Sequence, residues 1–309
     1  MTFLNPAFLN PVYRERSGAI SAEKTVALVA ALLPMAWLLG QAFAGTLGAR
    51  PVTEAIHFTG LWALRFLLIS LAVTPVRRIF AWNKLILARR TLGLAALGYG
   101  LVHLSLYVVD QGAARAAQEI VLRFYLTIGA VALAFMLALG VTSTNGAIRR
   151  MGAERWSRLH KLAYAIAVLG VIHYFIQSKL DVTEPVLMAG VLVYLFAYRI
   201  AQRAWREVGS LLLAALAVVS AVLTAGIEMA WYGLATRVDP WLVLEANFSL
   251  DLGLRPVWWI FLASLAVAGL GAISGRVRPK PGHRRQASAH VQRSADAPVT
   301  KKPVRLERV

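Results

Sequence analysis

Residues 89–110 read RRTLGLAALGYGLVHLSLYVVD. Two arginines are followed by an uncharged run, residues 92–109, broken only by the imidazole of His103. A helix needs about 20 such residues to cross about 30 Å of hydrocarbon. A soluble helix would show a polar face, and this one has none. The stretch therefore predicts a membrane helix that starts at a basic surface and carries one histidine near its far end. Residues 159–175, LHKLAYAIAVLGVIHYF, repeat the pattern with His173. There Arg149, Arg150, Arg155, Arg158 and Lys161 supply the basic entrance.

Working outward, further runs of spanning length lie at 26–44, 55–73, 120–141, 185–200, 208–231 and 257–273, which makes eight helices in all. The connectors hold the expected breakers, among them Pro51, Pro75, Gly112, Gly146, Pro185, Pro240 and Pro256. The chain is 58% hydrophobic with a mean hydropathy of +0.61. That is far more apolar than a soluble domain, and the predicted class is an all-α integral membrane protein.

The formal net charge of +18 is a matter of topology. Basic residues fall in alternate connectors, at Arg14 to Lys24, Arg77 to Arg90, Arg149 to Lys161, Arg199 to Arg206, and in the tail from Arg276. By the positive-inside tendency both termini are cytoplasmic, and the connectors around Gly48, Gly112, Lys179 and Asp239 are periplasmic. No compact basic domain exists, so the expected partners are membrane lipids and not nucleic acid. Ala42-Phe43-Ala44 imitates a signal-peptidase site, but the apolar run before it is long, and an uncleaved first helix is expected. The absence of cysteine removes disulfides, iron–sulfur clusters, thiolate-bound haem and covalent haem attachment. Redox chemistry would have to use histidine ligands or a dissociable organic cofactor.

Four of the six histidines lie in or at the ends of spans, where an ionisable group is a functional candidate. The third and fifth helices run in the same direction, which puts His103 and His173 at similar depth. One haem b between them, with both imidazoles as axial ligands to the iron, is the expectation. Gly93, Ala96 and Gly100 share the face of His103, and Gly170 lies near that of His173. Small residues there leave room for a porphyrin and equally serve close helix packing.

His160 comes thirteen positions before His173, about 20 Å along a straight helix, and so lies near the cytoplasmic surface. The position matching it on the third helix is Arg90. Three readings stay open: an inner haem ligated by His160; Arg89 and Arg90 holding haem propionates or a flavin phosphate; or a plain cytoplasmic anchor. Arg65 sits well inside the second span and cannot lose its charge, so it should meet an anion such as a propionate or face a polar cavity, with snorkelling or structural pairing as the bland alternative. His57, near the outer interface, is a candidate for cofactor contact or for a capping role.

The quoted residues resemble the MsrQ/YedZ family, haem-binding membrane subunits of a periplasmic protein-methionine-sulfoxide reductase system with a ferric-reductase-like transmembrane domain. The matching stretches are His57-Phe58-Thr59-Gly60 with Thr74-Pro75; Arg89 to Leu94 on to His103, Leu104 and Tyr107; Thr142-Ser143-Thr144; and Trp156, Leu159-His160, Tyr164 and His173-Tyr174. They cover roughly residues 25–205. The resemblance implies a six-helix cytochrome-b-like core in the inner membrane that takes electrons from quinol. It delivers them to a periplasmic molybdopterin-containing reductase that repairs oxidised envelope proteins. Haem b is implied, with His103, His160 and His173 as the matching histidines, and FMN has been associated with the family. Where the family carries Arg-Pro-Tyr before the fourth helix, this chain has Arg123-Phe124-Tyr125.

The expected organisation is a cytoplasmic segment 1–24, a haem-binding core 25–207, an additional helix pair 208–274 and a basic disordered cytoplasmic tail 275–309. A haem with two axial histidines has no open position for substrate, so the chain reads as an electron relay rather than a stand-alone catalyst. The rival within the fold is the membrane subunit of a ferric or other reductase driven by NAD(P)H. It would need a separate cytosolic flavin partner, because the tail holds no glycine-rich nucleotide loop.

Overall fold

The computed structural model describes residues 20–179, 181–205, 207–250 and 253–277, the side chains of 275–277 excepted. The first nineteen residues and the expected tail beyond 277, with His283 and His290, lie outside the described residues. Among the described residues eight helices are long and apolar enough to cross a membrane, and the protein is an all-α multi-pass membrane protein. Large apolar side chains such as Phe43, Val109, Val141, Val222 and Leu270 are exposed on its outside, as lipid-facing positions must be.

Helix α1, Ala22–Ala44, is capped by Ser21, whose hydroxyl accepts from the Lys24 amide, and it begins four residues before the expected span of 26–44. It stops at Gly45, whose left-handed φ of 68° lets its amide turn back to the Ala42 carbonyl. Helix α2, Pro51–Ile79, opens on a proline, where no intrahelical amide bond is lost. A 3₁₀ turn, Asn83–Leu87, leads into α3, Ala88–Gln111. The fourth span is shorter than the expected 120–141. A separate helix α4, Ala113–Leu122, ends at Arg123, which is extended at φ −102° and ψ 106°, and α5 runs Phe124–Val141. Arg123 is pinned there by Glu119 at 3.1 Å.

Two short helices at the basic end, α6 (Asn145–Met151) and α7 (Ala153–Leu159), precede α8, Leu162–Ser178. His160 and Lys161 form the joint between α7 and α8, where the Tyr164 amide bonds only three residues back to the Lys161 carbonyl. The chain from His160 to His173 is thus no straight helix. Helices α9 (Thr183–Ala204), α10 (Ser210–Ala235), α11 (Pro240–Phe248) and α12 (Pro256–Val277) complete the chain.

The main core joins α1, α2, α3, α8 and α9 around Phe66, Leu71, Ala96, Ile166 and Ala167. Buried polar bonds register the helices within it. The Tyr99 hydroxyl donates to the Ala31 carbonyl at 2.9 Å, tying α3 to α1. Arg199 on α9 donates to the Tyr164 hydroxyl at 2.7 Å and to the Leu71 carbonyl at 2.9 Å, joining three helices at the basic end. Helices α10 and α12 form a second unit against α9, cross-linked by an ion pair between Glu228 and Arg255.

Candidate functional site

Helices α3 and α8 each present one half-buried imidazole to the same space. The rings of His103 and His173 have centroids 6.3 Å apart and planes 87° from parallel. His103 Nδ1 lies 2.8 Å from the carbonyl oxygen of Ile56 on α2, and His173 Nδ1 lies 2.7 Å from that of Tyr125 on α5. A carbonyl oxygen can only accept, so each Nδ1 carries the proton and each Nε2 keeps its lone pair. Metal-bound imidazoles are oriented in this way. Two imidazoles on opposite sides of one metal ion, with bonds of about 2 Å, have centroids about 6 Å apart, which is the spacing seen. The residues fit a haem iron taken at both axial positions. Among the described residues no three His, Asp or Glu side chains converge as a protein-only metal cage would need.

Both rings lie on bare backbone. A Cβ at Gly60 would come within 2.9 Å of His103 Cε1 and Nδ1, and one at Gly129 within 2.9 Å of the same atoms of His173. The small residues noted on the histidine-bearing helices do something else. A Cβ at Gly100 would meet Leu133 at 3.2 Å, and one at Gly170 would meet Leu64 at 3.2 Å, so these positions serve helix packing.

At the basic end His160 is held differently. Its ring stacks on the Trp156 indole, and its Nε2 lies 3.2 Å from the Thr142 hydroxyl. Arg89 and Arg90 are near enough for their charges to be felt at His160. Arg90 also donates to the Asn145 side chain at 3.1 Å. Among the described residues the structure thus sets Arg89 and Arg90 near His160 and brings no second imidazole to it.

Arg65 is met by a protein carboxylate, Glu184 at the start of α9, at 3.0 Å, and its guanidinium lies 5.1 Å from the centre of the Trp62 ring. Of the open readings for Arg65, the geometry displays the structural ion pair. His57 is exposed, and it stands beside the site next in the chain to Ile56. Sequence reasoning missed the roles of Ile56, Gly60, Tyr125 and Gly129. Their trace is a spacing of four between carbonyl and glycine on two helices, too faint a signal in a chain with 23 glycines.

The model of the ferric reductase like transmembrane component family matches residues 59–171. The chain is 42% identical over 192 residues to the protein-methionine-sulfoxide reductase heme-binding subunit MsrQ of Rhodospirillum rubrum, an alignment covering 60% of this chain and 89% of the relative. It is 40% identical over 203 residues to the MsrQ of Xanthomonas euvesicatoria, covering 63% and 91%. For the MsrQ of Caulobacter vibrioides the figures are 41% over 177 residues, covering 56% and 83%. The chain belongs to the MsrQ family. No solved structure matches it. In this MsrQ-family chain the motif residues converge on two places. Gly60, His103 and His173 meet at one end of the bundle, and Arg89, Arg90, Thr142, Trp156 and His160 meet at the other. Helices α10 to α12 lie beyond the matched ferric-reductase-like segment.

Proposed function

We propose that this chain is the electron-relaying membrane subunit of a protein-methionine-sulfoxide reductase system in the bacterial inner membrane, with both termini cytoplasmic. In this reading it takes electrons from quinol and passes them to a periplasmic molybdopterin-containing reductase that repairs oxidised envelope proteins. The observation that carries it is the facing pair His103 and His173, each with its Nδ1 proton bound to a backbone carbonyl and its Nε2 available. Bound haem b would supply reversible one-electron chemistry there. His103 and His173 would hold the iron, and the Ile56 and Tyr125 carbonyls keep the two rings in the ligating tautomer.

At the cytoplasmic end His160 would offer a further ligand, and Arg89 and Arg90 suit haem propionates or the phosphate of FMN. Arg65, paired with Glu184, and His57, next to Ile56, would complete the surroundings of the cofactor. The quinol reading is supported by an apolar cleft of about 420 Å³ between α8, α9 and α10, lined by Ile172, Phe175, Leu192, Phe196, Ile227 and Trp231. Its walls suit an isoprenoid tail beside the His173 helix. The second reading, supply by a separate cytosolic NAD(P)H–flavin partner, rests on the cationic cluster around Arg89 and Arg90 as its electron entry.

Purified protein is expected to show a low-spin b-type reduced-minus-oxidised spectrum that is lost or halved in His103→Ala and in His173→Ala. A correctly folded but unpigmented protein would overturn the reading. Membranes lacking this chain should lose quinol-driven reduction by the periplasmic reductase while an artificial donor still works. Reduction by NAD(P)H with a soluble flavin reductase, and none by quinol, would select the second donor.

A further inference from the structure

We propose that Gly60 and Gly129 are positioning residues. They give the two axial imidazoles bare helix backbone to rest on, hold the ring planes nearly perpendicular, and so determine the electronic state of an iron bound between them. The inference rests on the haem reading above and adds to it the orientation of the ligands and the residues that impose it.

The two cradles share one construction although they lie on different helices. On α2 the carbonyl that receives the His103 proton belongs to Ile56, and the glycine under the ring comes four residues later at Gly60. On α5 the carbonyl belongs to Tyr125, and the glycine comes four residues later at Gly129. In an α-helix the amide of residue i+4 points at the carbonyl of residue i. A ring that reaches this carbonyl from the side must therefore pass over residue i+4, where a side chain would stand. Only glycine leaves that path open. At 2.9 Å a methyl group at either position lies closer to the ring than real Cβ atoms come to any neighbour. The ring would have to move outward and give up the bond of its Nδ1–H to the carbonyl. Glycine within a helix lowers helix stability relative to alanine, so the helix itself does not ask for it here. Gly98, exposed on α3 with nothing near its Cβ position, shows that glycine in these spans is not always so used.

Each imidazole plane is set by the helix on which the ring rests, α2 for His103 and α5 for His173, and the two planes lie 87° apart. Axial imidazoles interact with the iron d orbitals through their π systems. Parallel rings split the two dπ orbitals and give a rhombic low-spin ferric signal. Perpendicular rings leave these orbitals nearly degenerate and give a highly anisotropic signal with one very large g value. The hydrogen bond to Nδ1 also raises the basicity of the ligand, which makes the reduction potential a second readout.

The test is electron paramagnetic resonance and redox titration of the full-length ferric protein, in the wild type and in Gly60→Ala, Gly129→Ala and Gly98→Ala. The wild type is expected to give the highly anisotropic signal. Gly60→Ala and Gly129→Ala should each lose it, with a shifted potential, while Gly98→Ala keeps both. A wild-type signal of the rhombic type, or alanine variants that retain the wild-type signal, would overturn the inference and leave the haem reading standing. An unpigmented wild type would instead overturn the haem reading beneath it.

Should the alanine variants fail to accumulate, His103→Gly decides the matter, because it removes bulk. Added imidazole should restore the anisotropic signal. 1-Methylimidazole binds iron but has no N–H to give the Ile56 carbonyl, and it should restore a low-spin optical spectrum without the wild-type signal and potential. Identical results with the two ligands would overturn the inference.

Discussion

The His160 imidazole lies face to face on the Trp156 indole, with ring centroids 3.9 Å apart and planes 27° from parallel. The indole N–H donates to the Thr142 carbonyl at 2.9 Å, and the Thr142 hydroxyl meets His160 Nε2 at 3.2 Å. Trp156 from α7 and Thr142 at the end of α5 thus bond to each other and hold the imidazole between them by its face and its Nε2. His103 and His173 are held by Nδ1 instead, and the contrast separates the two ends of the bundle chemically.

His160→Ala is accordingly expected to lower cofactor content per chain while the low-spin signal of the His103–His173 centre persists. Trp156→Ala should shift content in the same direction by a smaller amount. Haem and flavin stoichiometry of the purified chain measures both. Unchanged content in His160→Ala would remove this residue from the set of ligands.

Glu228 is 2% exposed and Arg255 23% exposed, and the two form the ion pair that links α10 to α12. Neither Glu228 Oε2 nor Arg255 Nε has a hydrogen-bond partner, so the pair is imperfectly compensated for its desolvation. Removing one partner strands the other. Glu228→Ala should cost about 3–5 kcal/mol as for a fully buried pair, reduced by the partial exposure of Arg255. Replacing both, Glu228→Leu with Arg255→Met, should recover most of the loss. Thermal unfolding in detergent gives the comparison, and a Glu228→Ala protein that melts like the wild type would show that the pair is not structural.

Glu119 accepts from the Tyr107 hydroxyl at 2.7 Å and from Arg115 and Arg123 at 3.2 and 3.1 Å. The Tyr107 bond first, and then the two arginines, hold its carboxyl below the ordinary carboxylate range. A depressed folded-state pKa stabilises above the unfolded value of about 4.3, and the gain is lost as pH falls through the folded-state pKa. The stability difference between wild type and Glu119→Gln should therefore shrink as pH is lowered from about 6 to about 3. A difference independent of pH would contradict this. The contact bears on the site because Arg123 begins the helix whose second residue, Tyr125, holds His173.

The eight spans were legible because apolar length is a property of each segment alone. The matched depth of His103 and His173 followed from two helices that run in one direction from a basic edge. The break before α5 was harder to see, since Ile120 to Leu122 are as apolar as the span they precede. Arg123 becomes a boundary only when Glu119 and the Thr127 hydroxyl, which donates to the Ile120 carbonyl at 2.7 Å, fold back on the turn. The joint at His160 and Lys161 was hidden for a similar reason. Nothing in its local composition forbids a continuous helix, and Trp156 and Thr142 hold it in place from either side.

The sequence by itself determined a polytopic helical membrane protein with two imidazoles at one depth and an arginine that needed an anion. Burial in hydrocarbon imposes those conclusions on any fold the chain adopts. Only the tertiary structure decided which groups answer them. Glu184 meets Arg65 from 119 positions away, and the carbonyls of Ile56 and Tyr125 meet the histidines. Such partners are chosen by how helices pack, and a backbone carbonyl has no letter in the sequence. The same holds for Gly60 and Gly129, whose importance lies in the side chain they lack and in the ring that another helix brings to that place.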